Sequence, residues 1–454
     1  MNKYRGLLLG LAVGAAGFNM RTPITSLPPL FPELSSRLHL SSAAVSLLAA
    51  TPVICFGLGA AFAPSLNRRF GEERVLQAGL IATTAGLLLR GLWPSTMLFP
   101  GTILATGAIA LLNVLLASMI KRRWPERAGL GIGIYLSGLS VGAILASLLS
   151  VPIYRASGDS IPLALGLWAG PAAVAALLWL PQLLVPRQGA PREAEDQADG
   201  ETEERAAPSG GQGGTGGLAP AVSRGGLGGI VPPRIKVHRH ALAWQVTAFM
   251  GLQSLLYYAA LSWLPTMFRD RGDSAGTAGN LLALMGVGNL ATSMLVPVLA
   301  QRLVDRKRGQ HMLVVPSVLA SGAALAGSVW APLGSAPAWV FLLGVCQGSM
   351  LGLGVFFTMA RAADPATAAS LSGLAQTVGY LVASTGPLAL GLLHSVTGGW
   401  DVPFIVLLVV TGVTLGAGLL AGRHKVLPHG SLTDTRVGIG SGVSRVTVVD
   451  SCPN

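Results

Sequence analysis

Residues 43–66 read AAVSLLAATPVICFGLGAAFAPSL, a stretch without a single acidic or basic side chain. As an α-helix this stretch is about 36 Å long, which is enough to cross the roughly 30 Å hydrocarbon core of a bilayer. Its apolar residues do not alternate with polar ones as they do in the strands of a membrane β-barrel. The stretch therefore predicts a transmembrane helix.

The whole chain has the same character. Of its 454 residues 51% are apolar and 11% are charged, and the mean hydropathy is +0.60. Since an ordinary soluble domain carries roughly 25% charged residues, this composition excludes a soluble enzyme. Apolar runs of about 20 residues predict an all-α membrane protein with twelve transmembrane helices. The runs cover residues 6–32, 43–66, 75–93, 96–120, 128–152, 161–185, 241–267, 278–301, 311–331, 338–360, 367–394 and 402–422.

The positions of the basic residues explain the net charge of +12. If the N-terminus is cytoplasmic and the connections alternate sides, most basic residues fall in cytoplasmic connections, as the positive-inside rule requires. We therefore expect a multi-pass protein of the plasma or inner membrane with both termini in the cytoplasm, and no nucleic-acid partner. The cytoplasmic set is Arg68, Arg69, Arg74, Lys121, Arg122, Arg123, Arg127, Arg302, Arg306, Lys307, Arg308, Arg361, Arg423 and Lys425, whereas the opposite side has Arg37, Arg155, Arg269 and Arg271.

A polar segment divides the chain into two parts of equal length. Residues 186–240 are rich in Gly and charged side chains and nearly lack large apolar residues, so they predict a flexible cytoplasmic linker. A regulatory or partner-binding role of this linker is the alternative. We predict six-helix halves at 1–185 and 241–425, and a disordered cytoplasmic tail at 426–454.

The two halves repeat one another in sequence. Three regions match in the same order, with offsets of 237, 234 and 240 residues, which is hard to reach by chance. The repeat predicts two six-helix units of the same orientation. The matched residues are Leu27, Pro28 and Phe31 with Leu264, Pro265 and Phe268; Leu47, Leu48, Ala49, Val53, Arg68 and Arg74 with Leu281, Leu282, Ala283, Val287, Arg302 and Arg308; and Met119, Lys121 and Pro125 with Met359, Arg361 and Pro365.

This duplicated plan resembles the major facilitator superfamily. The loop PSLNRRFG at 64–71 is similar to the signature of that superfamily between its second and third helices. Where the family usually has an Asp, this chain has Arg68, so a gating interaction of that Asp is not expected to carry over to the first half. The resemblance implies a transporter with gating loops, whose candidate residues are Arg68, Arg69, Lys121, Arg302, Asp305 and Arg361.

Two further motifs resemble the cyanate and 2-nitroimidazole transporter branch. They are NMRTPIT at 19–25, which leads to Pro28-Pro29-Leu30, and KRRWPER at 121–127 with Asn113 upstream of it. The resemblance implies secondary transport of a small anionic or weakly acidic solute by alternating access.

The ionisable residues within the apolar runs are few. None of the 19 acidic residues falls in the interior of a run, whereas Arg21 lies about 15 residues, or roughly 22 Å, into the first. It is the one charge that we place well inside the hydrocarbon. A lone arginine there costs from about 3 to more than 10 kcal/mol. Water in a central cavity, backbone carbonyls freed by Pro23, Pro28 and Pro29, or an anionic ligand could offset this cost.

Other candidates for substrate contact are polar groups within the runs. At the repeat offset of 237, Arg21 corresponds to Tyr258, so both should lie at a similar depth on opposite sides of a central cavity. Tyr257 and Tyr258 offer hydroxyl donors and ring faces, or they simply pack between helices. Amides either contact the substrate or join helices. The amides are Asn19, Asn113, Gln253, Asn289, Gln347 and Gln376, among which Asn113 and Gln376 rank highest.

The absence of an acid from the run interiors bears on energy coupling. It argues against a proton carrier of the buried-carboxylate type, so a proton could instead travel with the solute. His394 and Glu33, at the outer ends of their runs, are weaker candidates. Exchange and facilitated diffusion are alternatives to proton-coupled transport. An exporter of drugs or neutral heteroaromatic compounds is the alternative function. No nucleophile, acid pair or metal set lies in the runs, so we expect that the protein is not an enzyme and needs no cofactor or metal. We also expect it to be a monomer.

Overall fold

The structure is a computed structural model that describes residues 3–124, 128–183, 237–305, 309–423 and 425–427. Within these ranges the chain is helical, apart from loops and one parallel β-bridge between Ala362 and Leu427. The predicted linker and tail lie outside the described residues, except for positions 237–240 and 426–427. Residues Val237–Arg239 form a short 3₁₀ turn, and the side chain of Val237 is buried against residues of the second half.

Fifteen α-helices build twelve spans among the described residues, and this confirms the predicted fold class. α1, α2, a 3₁₀ turn Pro28–Leu30 and α3 make the first span, α8 and α9 make the sixth, and every other span is one helix. The helices are α1 Lys3–Asn19, α2 Thr22–Thr25, α3 Phe31–Leu38, α4 Ser42–Phe70, α5 Glu72–Leu92, α6 Pro94–Arg123, α7 Ala128–Ala156, α8 Ile161–Gly166, α9 Ala169–Leu183, α10 Ala241–Asp270, α11 Ala275–Asp305, α12 His311–Trp330, α13 Ala336–Ala360, α14 Pro365–Thr397 and α15 Asp401–Ala421.

Ten of these spans are long and apolar enough to cross a membrane by length and composition alone. The other two are α10 and α14, which have 30 and 33 residues. Both helices carry polar side chains that face the centre of the bundle, as described below. Polar side chains such as Gln253 and Gln376 lower the hydropathy of these two spans.

The halves pack against each other through two pairs of helices. α4 contacts α14, and α7 contacts α11, and both contacts rely on small residues. A Cβ atom added at Gly391 would lie 2.0 Å from Ser46 Oγ, and one at Gly279 would lie 2.8 Å from the carbonyl oxygen of Ser147. These residues lie near the end of the bundle that is opposite to the chain termini, which we name the far end. The end with the termini is the terminal end.

The signature-like segment 64–71 is mostly not a loop. α4 continues through Phe70, and the connection to α5 is Gly71 alone, at φ 81°. Because a side chain is strained at this φ, glycine suits the position. Arg68 and Arg69 therefore lie in the last turn of a helix, at the terminal end.

Candidate functional site

The first span breaks at Arg21. α1 ends at Asn19 and α2 begins at Thr22, with Arg21 at φ −111° and ψ −25° between them. Pro23 has no amide hydrogen, and its ring clashes with the carbonyl four residues earlier in a regular helix. The hydroxyl of Thr22 donates instead to the carbonyl of Phe18 at 2.6 Å. The break turns Arg21 toward the centre of the bundle.

Arg21 binds its partner in the internal repeat. Its Nη1 donates a hydrogen bond of 2.9 Å to Tyr258 Oη, and its Cζ lies 5.4 Å from the ring centroids of both Tyr257 and Tyr258. The repeat predicts that Arg21 and Tyr258 lie at a similar depth on opposite sides of a central cavity. In the structure the two side chains are in direct contact instead. No carboxylate among the described residues forms an ion pair with Arg21. A guanidinium has five N–H donors, so most of them are left for a ligand.

Aromatic rings surround this guanidinium. The rings of Tyr257 and Tyr258 are 5.2 Å apart between centroids, and Tyr380 lies 6.4 Å from Tyr258 and 5.6 Å from Phe56. Sequence reasoning missed Tyr380, although it is the one aromatic residue in the predicted run 367–394. Tyr135 lies nearby and donates a hydrogen bond of 2.8 Å to Asn113 Oδ1.

Arg21 lines a cavity of about 520 Å³ between the halves. The cavity extends to Met359, which is one residue before the last residue of α13, and it thus reaches toward the terminal end of the bundle. A smaller pocket of about 20 Å³ shares Arg21 with it. The structure thus brings most of the predicted substrate-contacting residues together. Arg21, Asn113, Asn289, Tyr257 and Gln376 line the cavity, and Arg21, Gln253, Asn289, Tyr257, Tyr258 and Gln347 line the pocket.

Asn19 does not belong to this group. Its Nδ2 donates to the carbonyls of Ala15 at 2.8 Å and Pro171 at 3.0 Å, and its side chain is buried. It therefore joins the first and sixth spans, which is the helix-joining role given above as the alternative. The prediction that it contacts substrate is not supported by this position.

A second buried arginine corrects the expectation that Arg21 is the one charge inside the hydrocarbon. Arg90, in α5, is completely buried and donates to the carbonyl of Pro23 at 2.9 Å and to Ser26 Oγ at 3.1 Å. The carbonyl freed by the helix break is thus bound by Arg90. This leaves the Arg21 side chain to face the cavity. Arg90 stands inside the predicted run 75–93, so the sequence contained the signal.

The far end of the bundle is closed by contacts between the halves. Glu33 and Arg269 form an ion pair of 2.7 Å, and Arg269 also donates to the carbonyl of Pro29 at 3.4 Å. His394 stacks on Trp400 with ring centroids 3.9 Å apart, and its Nε2 lies 4.0 Å from Asp270. Neither Glu33 nor His394 is among the residues that line the cavity. Glu33 therefore lies at the contact between the halves, whereas His394 lies at the far end within the second half.

The predicted gating residues lie at the terminal end. Arg68 donates to Ser65 Oγ at 3.3 Å, Arg69 lies over the ring of Phe70, and Arg302 is exposed in α11. The side chains of Lys121 and Asp305 lie outside the described residues. Arg361 is buried within its own half, where it donates to the carbonyl of Ala421 at 2.9 Å and to the side chain of Gln310.

Carboxylates are present near the position where the family usually has an Asp. Glu73 accepts hydrogen bonds from Arg122 at 2.6 Å and Arg123 at 3.0 Å, and Glu72 lies 2.7 Å from Arg122. These ion pairs join α5 to α6 inside the first half. Within the described ranges, no group of three or more His, Cys, Asp or Glu side chains is arranged to hold a metal ion.

Comparison with known proteins agrees with this architecture. Residues 7–387 match the Major Facilitator Superfamily. The chain is 32% identical to the 2-nitroimidazole transporter of Escherichia coli (strain K12), covering 89% of this chain and 93% of that protein, and 28% identical to the cyanate transport protein CynX of the same strain, covering 87% and 92%. The crystal structure of a bacterial homologue of the human lysosomal transporter Spinster, inward-facing and unoccupied, matches with a TM-score of 0.70 at 16% identity, covering 93% and 98%. The chain therefore belongs to the major facilitator superfamily, and it is a membrane transporter rather than an enzyme.

Proposed function

We propose that this protein is a secondary transporter of a small anionic or weakly acidic solute, with Arg21 as the group that binds the anion. The observation that carries the proposal is the guanidinium of Arg21, which faces a cavity shared by both halves. It makes one recorded hydrogen bond, to a neutral tyrosine, and no ion pair within the described part of the chain.

Physical chemistry favours an anion at this position. A charge at membrane depth costs several kcal/mol, and an anionic ligand offsets this cost when it binds. The guanidinium fork matches a planar oxyanion, and the rings of Tyr257 and Tyr258 beside it suit a flat solute. The cavity of about 520 Å³ has the size of a small-molecule site. One relative is named for cyanate, which is a small anion.

Transport would proceed by rocking of the two halves about Arg21. In the present state the far end is closed by the Glu33–Arg269 pair, and the cavity extends toward the terminal end. We assign the terminal end to the cytoplasm because the basic connections lie there, and the membrane to the plasma membrane of a bacterium. On this assignment the cavity opens to the cytoplasm. We expect the monomer to be sufficient, since Arg21 and its neighbours all come from one chain.

A proton could enter the cycle in two ways. A weakly acidic solute could carry its own proton, which requires no titrating side chain in the cavity. Alternatively Glu33 could take up a proton when the far end opens, because opening separates it from Arg269. His394 is a second candidate at the same end. The first route is favoured by the lining of the cavity, which contains no acidic or histidine side chain from the described residues.

A second candidate function is export of drugs or neutral heteroaromatic compounds. The observation that favours it is the aromatic lining, in which Phe56, Tyr257, Tyr258 and Tyr380 stand within 6.5 Å of one another in successive pairs. Such a lining binds flat rings whether or not they carry a charge. A relative named as a 2-nitroimidazole transporter points in the same direction.

Uptake into proteoliposomes separates the two functions. The purified chain is tested with a labelled panel of cyanate, formate, acetate, benzoate and neutral 1-methyl-2-nitroimidazole, which has no acidic N–H, each with and without an imposed pH gradient. Saturable flux of at least one anion, reduced by the other anions, is the expected result. Flux of the neutral compound alone would replace the proposal with the second candidate. Stimulation by the gradient beyond that in protein-free liposomes, which take up weak acids by diffusion of the neutral form, would indicate proton-linked transport.

A further inference from the structure

The small pocket beside Arg21 is lined by a residue that has an unpartnered polar atom. Gln347, in α13, is 2% exposed, and its Oε1 accepts no hydrogen bond from the described residues. A buried acceptor that is left without a donor is costly, and native proteins rarely keep one without a reason. Gln347 lines the same pocket as Arg21, Asn289 and Tyr380. The unpaired oxygen therefore belongs to a residue that lines the proposed binding site, and it is buried there without a partner.

Other amides of the site are already paired. Gln253 donates to Ser254 Oγ at 2.7 Å and to the carbonyl of Met250 at 3.1 Å. Gln376 donates to Ser372 Oγ at 3.0 Å, and Asn113 accepts from Tyr135 at 2.8 Å. Gln347 differs from these three amides because its side-chain oxygen is both fully buried and without a hydrogen-bond partner among the described residues.

The backbone around Gln347 is held in place. A Cβ atom added at Gly344 would lie 2.1 Å from the carbonyl oxygen of Met285, and one at Gly348 would lie 2.3 Å from that of Asn289. α13 thus contacts α11 at backbone distance on both sides of Gln347. Close packing of this kind holds the backbone that carries the Gln347 side chain.

The pocket has the size of one small polar group. Its volume of about 20 Å³ accommodates a single water molecule, and a hydroxyl or amino group of a ligand is of similar size. Arg21, Tyr257, Asn289, Leu351 and Tyr380 line both this pocket and the larger cavity. A solute held by Arg21 can therefore extend a substituent into the pocket.

We propose that Gln347 forms a second subsite, which accepts a hydrogen bond from an N–H or O–H group of the bound solute. The solute class is then an anion that carries its own hydrogen-bond donor, with its charged end on Arg21 and its donor on Gln347. This inference rests on the proposed function, because it needs Arg21 to bind the charged end. A solute without the donor leaves the amide oxygen unpaired, and such a mismatch reduces affinity by about 10- to 100-fold.

Matched solutes test the subsite. Binding to the purified full chain is measured for benzoate, 4-hydroxybenzoate and 4-methoxybenzoate, and for acetate, glycolate and methoxyacetate. In each set the members share the carboxylate and differ in the donor. We expect the hydroxyl member to bind at least 10-fold more tightly in one set. Gln347→Met should bring the members within about 3-fold, because the hydroxyl member loses its acceptor.

Two further variants make the outcomes distinct. Gln77→Met is the matched control, because Gln77 is also buried with an unpartnered oxygen but does not line the site; it should preserve the preference. Equal binding of the hydroxyl and methoxy members by the parent, or a preference that survives Gln347→Met, would overturn the subsite. In that case the proposed function is still supported if the parent binds anions and Arg21→Gln does not. Failure of every anion to bind the parent would overturn both.

Discussion

Replacement of Arg21 by Gln removes the charge on which the proposed function depends. The substitution keeps a polar side chain of similar reach, so the broken first span should still form. The carbonyl of Pro23 is bound by Arg90, which the substitution leaves in place. The variant loses the hydrogen bond of 2.9 Å to Tyr258 and gains stability from removal of a charge at membrane depth. We therefore expect normal insertion and expression.

The loss of anion affinity can be worked from the contact geometry. A carboxylate at about 4 Å from the guanidinium carbon gains about 4 kcal/mol at an effective dielectric constant of 20. The Gln side chain recovers about 1 kcal/mol of this through a neutral hydrogen bond. Because each 1.36 kcal/mol is a factor of ten, the affinity for an anion should fall about 100- to 1,000-fold. Affinity for a neutral ring should change by less than about threefold.

Initial uptake rates into proteoliposomes, measured against solute concentration, give the Michaelis constant of each variant. Tyr258→Phe is the control, because it keeps the ring and the charge and removes one hydroxyl; its constant should change by less than about tenfold. Arg21→Lys should fall between parent and Arg21→Gln, because it keeps the charge and loses the planar fork. An Arg21→Gln variant that transports anions with the Michaelis constant of the parent would refute the reasoning.

Three further predictions concern the support of the site and its movement. Arg90→Met should lower the thermal unfolding temperature in detergent, since an unpaired buried carbonyl at Pro23 costs about 1–3 kcal/mol; an unchanged midpoint would contradict the assigned role of Arg90. Gly142→Ala should lower it as well, because the added Cβ would lie 2.0 Å from the carbonyl oxygen of Phe18, whereas Gly107→Ala, with open space around it, should leave it unchanged. Glu33→Gln should shift the equilibrium toward opening of the far end by up to about fivefold, because the partly buried ion pair with Arg269 contributes about 1 kcal/mol. The opening is measured by thiol labelling of a Ser46→Cys variant, whose reporter position is buried, in a background without native cysteines. Labelling should be faster with Glu33→Gln, and an unchanged labelling rate would contradict the prediction.

Much of the fold is determined by residues that act locally. Apolar length gives the twelve spans, and the matched offsets between the halves give their common orientation. The offset of 237 pairs Arg21 with Tyr258 from the sequence alone, and the two side chains form a hydrogen bond. Span length and composition are sufficient evidence for the helices because nearly every backbone group in lipid is satisfied within its own helix.

The tertiary structure decided which polar groups serve the site. Asn19 and Arg21 stand two residues apart in one motif, yet Asn19 bonds to Pro171 of the sixth span and Arg21 faces the cavity. Arg90 and Arg21 are both arginines in apolar runs, yet Arg90 binds the freed carbonyl of Pro23 and leaves Arg21 available. A side chain's role in a membrane depends on which partners the neighbouring helices bring within hydrogen-bond distance. Those partners lie 67 to 237 residues away in the chain, a separation that span length, hydropathy and charge counts do not encode.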